Sequence, residues 1–119
     1  DKSFENIWHN ISDIKNLTIV KRRSSTVLTN QEINFSKNDG GSIYSSESKT
    51  IIQFNTLERL IWGIITTDNN IKPTGIDLKE ILLKTKILIL ENKISDNFNE
   101  RKLKFIIHKF WKLGLILLK

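Results

Sequence analysis

With 119 residues and a formal net charge of +6, the chain has room for one domain with a real core, but not for two. It contains no cysteine, which excludes a disulfide framework and thiol chemistry. There is no apolar run of about eighteen residues and no signal-peptide pattern, so we expect a cytoplasmic protein without a membrane partner.

The positive charge is concentrated towards the C-terminal end. Beyond residue 97 there are six cations against Glu100 alone, which accounts for five of the six net charges. Such a local basic face favours an anionic partner, whereas a solvated helix face in a lysine-rich composition explains the same charge equally well.

The first predicted element is an amphipathic helix over residues 3–16. Its apolar residues recur at helical spacing and form one stripe, which packs on the core or joins two copies as a homodimer: Phe4, Ile7, Trp8, Ile11 and Ile14. A strand is expected to begin over residues 17–20. We therefore divide the chain into an N-terminal helix with its connector, residues 1–24, and a binding domain, residues 25–119.

Strands dominate the next part of the chain. One or two strands are expected in residues 27–35, followed by a turn cluster over residues 36–41 with a hairpin signal at Asp39-Gly40. Residues 42–45 and 49–54 are then expected to pair as a hairpin. Within it, Ile51 and Gln53 point to one face of the sheet, and Ile52 and Phe54 point to the other together with Thr50.

Three helices are predicted downstream. Asn55 and Glu58 form a capping box for a helix over residues 56–66, and residues 68–75 form a loop. Thr74 is expected to cap a second helix, with Asp77 completing the box. The second helix covers residues 76–86, with a possible continuation to residue 90.

Asn97, with Glu100, is expected to cap a third helix, and Gly114 ends it in the left-handed conformation with Leu115 folding back. Its apolar side is formed by Leu103, Ile106, Ile107, Phe110 and Leu113.

The residues that catalysis or metal binding would need are missing from the sequence. His9 and His108 lie on different elements, and there is no paired carboxylate, glycine-rich phosphate loop or credible nucleophile. We predict a non-enzymatic module without cofactor or metal. The fold expected is α+β and winged-helix-like: an N-terminal helix, a small antiparallel sheet and then a three-helix bundle.

Short motifs around the first of these three helices resemble the PqqD-like family, also called the RiPP recognition element. They are Phe54-Asn55, then Ile61-Trp62 and Ile64-Ile65, with a helix end at residues 110–116 similar to the family's Leu-x-x-x-Gly-Leu signature. The N-terminal helix lies outside that module, and the insertion at residues 71–73 lengthens one loop.

This resemblance implies that the domain binds the leader segment of a ribosomally made precursor peptide and works beside a peptide-modifying enzyme. The leader would add as a strand along residues 49–54 and contact the last helix. The residues that the resemblance implies for peptide binding are Thr50, Ile51, Gln53, Lys102, Ile106, Lys109 and Phe110.

A weaker resemblance links the stretch Phe54 to Glu58 to OmpR/ToxR-type winged-helix transcription regulators. It implies that the last helix enters the major groove of double-stranded DNA. The residues that would then contact DNA are Arg101, Lys102, Lys104, Lys109 and Lys112. That family continues into a C-terminal hairpin, and residues 115–119 are too few for two strands. A third alternative is an adaptor that dimerises through the N-terminal stripe.

Overall fold

A computed structural model describes residues 17–22, 26–28, 32–45, 49–71 and 73–119. The predicted helix over residues 3–16 and its apolar stripe lie outside the described residues. Within the described ranges the chain forms three helices and two three-stranded antiparallel sheets, which confirms an α+β fold.

In the described part of the chain four strands precede the first helix, a fifth strand lies between the first two helices, and the sixth follows the last helix. The strands are β1 (Thr18–Lys21), β2 (Thr26–Leu28), β3 (Ser42–Ser45), β4 (Thr50–Gln53), β5 (Ile76–Asp77) and β6 (Ile116–Leu118). The helices are α1 (Thr56–Ile71), α2 (Leu78–Glu91) and α3 (Glu100–Lys112).

One sheet has the order β2-β3-β4 and contains the predicted hairpin, with Tyr44 opposite Ile51. The turn before β3 differs from the prediction at Asp39-Gly40. It spans residues 35–38 and is closed by Asn34 and Asp39, whose backbone groups exchange two hydrogen bonds of 2.8 and 3.0 Å. Asn38, with φ of 52°, takes the left-handed conformation there, which asparagine tolerates better than most residues.

The second sheet, in the order β5-β1-β6, was not predicted as a unit. β1 lies where a strand was expected to begin, within the segment assigned to the N-terminal helix and its connector, and it forms the centre of this sheet between two strands from later in the chain. Ile19 is opposite both Ile76 of β5 and Leu118 of β6. Residues 116–118 thus supply only the strand β6, and its neighbour β1 comes from residues 18–21 and not from a C-terminal hairpin.

Helix α1 begins as predicted and ends five residues later than predicted. Asn55 Oδ1 accepts a hydrogen bond from the Glu58 N–H, and Glu58 Oε1 accepts one from the Asn55 N–H, both at 2.8 Å. This confirms the capping box. The loop expected from residue 68 is helical to Ile71, and an ion pair of 2.6 Å between Asp68 and Lys84 ties this last part of α1 to α2.

The predicted caps of α2 and α3 are both displaced. Asp77, rather than Thr74, is the N-cap residue of α2, and its carboxylate accepts a hydrogen bond from the Thr18 hydroxyl of β1 instead of capping the helix. α3 is capped by Asn99, not Asn97, with Asn99 Oδ1 accepting from the Lys102 N–H at 3.0 Å.

The C-terminal end of α3 is as predicted. Gly114 has φ of 73°, the Gly114 N–H bonds to the Trp111 carbonyl, and the Leu115 N–H bonds to the Phe110 carbonyl. These two bonds form a Schellman motif, and they turn the buried Leu115 back towards the core at the start of β6.

Aromatic rings from three elements meet in the core. Phe54 follows β4, Trp62 lies on α1 and Phe110 lies on α3, and their ring centroids are 5.4 to 6.2 Å apart. All three side chains are buried. Because aromatic pairs at this separation add to the energy of burial, this cluster fixes α3 against the end of β4.

Candidate binding site at strand β4 and helix α3

Strand β4 is the terminal strand of its sheet within the described part of the chain. Its neighbour on one side is β3, and no described strand pairs with its other side. Just beyond β4, the Phe54 carbonyl accepts a hydrogen bond from the Gly40 N–H, and the Phe54 N–H donates to the Gly41 carbonyl. Two residues, Gly40 and Gly41, are thus opposite one, as in a β-bulge. Backbone pairing to the inner neighbour therefore continues to the start of α1.

The alternation of an antiparallel ladder shows which backbone groups of β4 point outwards. Since Phe54 is bonded to the β3 side, Ile52 is the next residue bonded in that direction. The N–H and C=O groups of Ile51 and Gln53 then point to the outer edge. This edge presents one donor and one acceptor from each of these two residues, as an added strand requires.

The solvent-facing side chains of β4 include an unusual apolar one. Ile51 is 70% exposed, and Tyr44, its cross-strand partner, is also exposed. Gln53 is exposed like Ile51, and Ile52 and Phe54 are buried on the other face, which confirms the predicted alternation over residues 51–54. An aliphatic and an aromatic side chain thus stand together on the outer face, next to the open edge.

Two contacts place one side of α3 against the end of β4. Phe110 packs on Phe54, and Lys109 Nζ lies 2.6 Å from Glu58 Oε2 at the first turn of α1. Residues 102, 106, 109 and 110 share this side of α3 because they are spaced by three or four positions. These contacts therefore bring Phe110 and Lys109 of α3 to the end of β4 and the first turn of α1, whereas the exposed Ile51 side chain lies on the sheet face opposite to Phe54.

The predicted peptide-binding residues of α3 differ in accessibility. Phe110 is completely buried and belongs to the core, and Ile106 is partly buried against it. Lys109 and Lys102 are exposed, and each forms an ion pair, Lys102 with Asp96 at 2.5 Å. On β4, Thr50, Ile51 and Gln53 are all exposed.

The basic face of α3 is partly neutralised by neighbouring carboxylates. Besides the pairs of Lys102 and Lys109, Lys104 Nζ is 3.0 Å from Glu100 Oε1. Arg101 lies over the ring of the exposed Phe105, with 6.0 Å from Cζ to the centroid, and Lys112 is exposed. Three of the five cations that the DNA-binding alternative would use therefore already contact an acid.

A polar cavity at the end of β4 was not predicted from the sequence. It measures about 450 Å³ and is lined by Gln53 and Phe54 together with residues of the preceding turn: Lys37, Asn38, Asp39, Gly41 and Ser42. The turn is held against α1 because Asn38 Oδ1 accepts hydrogen bonds from the N–H and the hydroxyl of Thr56. No sequence signal links residues 37–39 to Gln53, since their proximity arises from the fold of the sheet.

The described residues show neither a metal-binding cluster nor a membrane-spanning helix. They contain no group of three or more histidine or acidic side chains placed to hold a metal ion, and no helix among them is long and apolar enough to cross a membrane. Comparisons of the chain with protein-family models, curated proteins and solved structures found no match.

Proposed function

We propose that this chain is a winged-helix-like, non-catalytic module that binds an extended peptide by adding it as a strand to β4. The single observation that carries the proposal is the outer edge of β4, with which no strand in the described part of the chain pairs and to which Ile51 and Gln53 direct their backbone groups. The resemblance to the RiPP recognition element names the partner as the leader segment of a precursor peptide, with its modifying enzyme nearby.

The bound strand would receive its affinity and its specificity from different parts of the site. Backbone hydrogen bonds to Ile51 and Gln53 are independent of peptide sequence, whereas side chains alternate between the two faces of the extended sheet. On the outer face they would meet Ile51 and Tyr44. On the other side are the exposed Lys102 and Lys109, each paired with a carboxylate of the chain, so an acidic residue of the peptide would have to share or replace Asp96 or Glu58 there.

A pair of variants at one position tests strand addition. Gln53→Pro removes an outward-pointing N–H, while Gln53→Ala removes the side chain and keeps that donor. Peptides selected from a displayed random library against the wild-type chain would be labelled and titrated by fluorescence anisotropy. We expect Gln53→Ala to bind nearly as the wild type does and Gln53→Pro to lose binding, with circular dichroism showing that both are folded. A folded Gln53→Pro variant that binds normally would refute the proposal.

A second candidate is binding of double-stranded DNA by α3, and one observation favours it. β6 follows α3 directly and is paired with β1, so a small sheet stands where a winged-helix regulator carries its C-terminal hairpin. Arg101 and Lys112 are the basic residues of α3 for which the described part of the chain supplies no carboxylate partner. They are the first candidates for phosphate contacts.

Salt dependence separates the two candidates. The logarithm of DNA affinity falls with the logarithm of salt concentration by about 0.9 for each phosphate neutralised, whereas strand addition depends weakly on salt. A random-sequence duplex and a selected peptide would be titrated in parallel. Tight duplex binding that is steeply salt-dependent and lost in Arg101→Glu/Lys112→Glu would favour the regulator over the peptide-binding module.

A further inference from the structure

Helix α2 carries two apolar stripes, and the core uses only one of them. Leu78, Ile81 and Ile89 are buried, while Leu83, Ile87 and Leu90 form a second row that is exposed. We call this row the α2 ridge. Its spacing of four and then three residues is that of a coiled-coil seam. Single exposed apolar residues are normal on a protein surface, but a row at seam spacing on one helix indicates a contact surface.

An apolar groove lies directly beside the α2 ridge, between α1 and α2. It measures about 430 Å³, and its apolar lining includes Leu60, Ile64 and Leu88, with Ile87 contributing to both groove and ridge. Gly63 of α1 lines the groove without a side chain. A Cβ at this position would lie 3.4 Å from Arg59 Nη1, with no other atom of the described residues near enough to clash. A ridge and a groove on the same face make that face complementary to a copy of itself related by a twofold axis.

The charges beside the groove fit the same arrangement. Lys84 and Glu91 both line it, seven residues apart on α2, and Lys84 also contacts Asp68 at 2.6 Å and Glu80 at 3.3 Å within its own chain. When two α2 helices lie antiparallel about an axis near Ile87, Lys84 of one copy comes opposite Glu91 of the other. The two symmetry-related contacts are then between opposite charges, and Leu83 of one copy is near Leu90 of the other.

We propose that the α2 ridge and its groove form the interface of a homodimer, in which α2 of one copy lies antiparallel to α2 of the second copy. Ile87 lies next to its own symmetry mate in this dimer. The interface is distinct from the N-terminal stripe predicted from the sequence, and it uses none of the residues proposed for peptide binding.

Cysteine cross-linking tests this arrangement directly, because the chain has no cysteine of its own. Ile87→Cys introduces a thiol beside the axis, and Ile71→Cys is the matched control on α1, where Ile71 is 73% exposed. Under mild oxidation of the full chain we expect a disulfide-linked dimer from Ile87→Cys and little from Ile71→Cys. Equal cross-linking of the two variants, or none from Ile87→Cys, would overturn the proposal.

Sedimentation velocity of the unmodified chain over a range of concentrations provides a second measurement. We expect a monomer–dimer equilibrium whose dissociation constant rises about tenfold or more in Leu90→Glu, because Leu90 is 78% exposed in the monomer and would be covered in the dimer. A chain that stays monomeric would show that another partner or segment covers the ridge. A dimer unaffected by Leu90→Glu would point to the stripe at residues 4–14 instead. Either result would refute the interface.

Discussion

Glu58 caps the start of α1 and also forms an ion pair with Lys109 of α3. A double-mutant cycle with Lys109 separates the contribution of the ion pair from that of the cap. Glu58 Oε1 accepts the Asn55 N–H at 2.8 Å, and Oε2 accepts from Lys109 Nζ at 2.6 Å. Glu58→Gln keeps an oxygen for the Asn55 N–H and removes the negative charge. Lys109→Met keeps most of the apolar stem and removes the positive charge, so the two variants share only the ion pair.

The burial of the two side chains sets the expected size of the coupling energy. The Glu58 side chain is 8% exposed, but that of Lys109 is 42% exposed, so water screens one end of the pair. Exposed ion pairs contribute about 0.2–1 kcal/mol, and hydrogen bonds to charged groups about 1.5–3 kcal/mol. We expect a coupling of about 1 kcal/mol, at the upper end of the range for exposed pairs, because only the Lys109 end is screened by water. Glu58→Ala removes the cap as well, which adds about 1 kcal/mol more.

Urea unfolding followed by tryptophan fluorescence measures these free energies, since Trp62 is buried in the aromatic cluster beside the junction. The matched control is the same cycle on Glu100 and Lys104, a pair four residues apart on α3. Helix pairs at this spacing contribute about 0.3–0.5 kcal/mol. If the Glu58–Lys109 coupling were no larger than that of the control, the view that this pair fastens α3 to α1 would be wrong.

Three further predictions concern stability. Gly40→Ala should destabilise the fold by about 1–3 kcal/mol in urea titrations, because a Cβ would lie 2.2 Å from the Asn55 carbonyl oxygen, a backbone atom that cannot move aside cheaply. Phe110→Ala should cost about 3–5 kcal/mol, since it empties the centre of the aromatic cluster. The hydrogen bond to Asp68 raises the pKa of Lys84 above 10.5, so its contribution to stability is complete below that pH and is lost as the pH rises through the raised pKa. Lys84→Met should remove this alkaline part of the stability–pH profile.

Local signals in the sequence predicted the elements whose ends depend on neighbouring residues. The Asn55–Glu58 capping box, the β3–β4 hairpin and the Gly114 C-cap all involve bonds within about five residues or one tight hairpin. In the two helix caps a side chain or a left-handed glycine lets the backbone N–H and C=O groups of the helix end form hydrogen bonds, and in the hairpin the two adjacent strands pair through their backbones. The alternation of Ile51 to Phe54 was likewise predictable, since a half-buried strand exposes every second residue.

The errors arose where a distant contact outweighed a local one. Thr74 looked like a cap, but residues 76 and 77 pair with β1, and Asp77 bonds to Thr18, 59 residues away. Local signals favour Asn97 as the cap, because Glu100 stands three positions later as a capping-box partner, whereas Lys102 stands three positions after Asn99. The structure uses Asn99, which places the partly buried Phe98 and the buried Leu103 at the two positions of a hydrophobic staple.

The second sheet shows the same limit most clearly. β5 has two residues and β6 has three, and they pair with β1 across about half and most of the length of the chain, respectively. A strand of two residues has no periodicity to detect, and its register is set by which side chains the core can bury. Ile19, Ile76, Leu118 and Ile116 are nearly or completely buried, so the core decides this pairing.

The two proposed surfaces can be tested independently of each other. The peptide would contact β4 and the adjacent side of α3, whereas the second copy would contact α2 and the α1 groove, and no residue named for one surface belongs to the other. Effects of substitutions at separate sites without shared partners usually add. Leu90→Glu should therefore weaken the dimer and leave peptide affinity unchanged, and Gln53→Pro should abolish peptide binding and leave the dimer intact. If Leu90→Glu lowered peptide affinity in a folded monomer, α1, which carries both Glu58 and the groove, would have to transmit the change between the two surfaces.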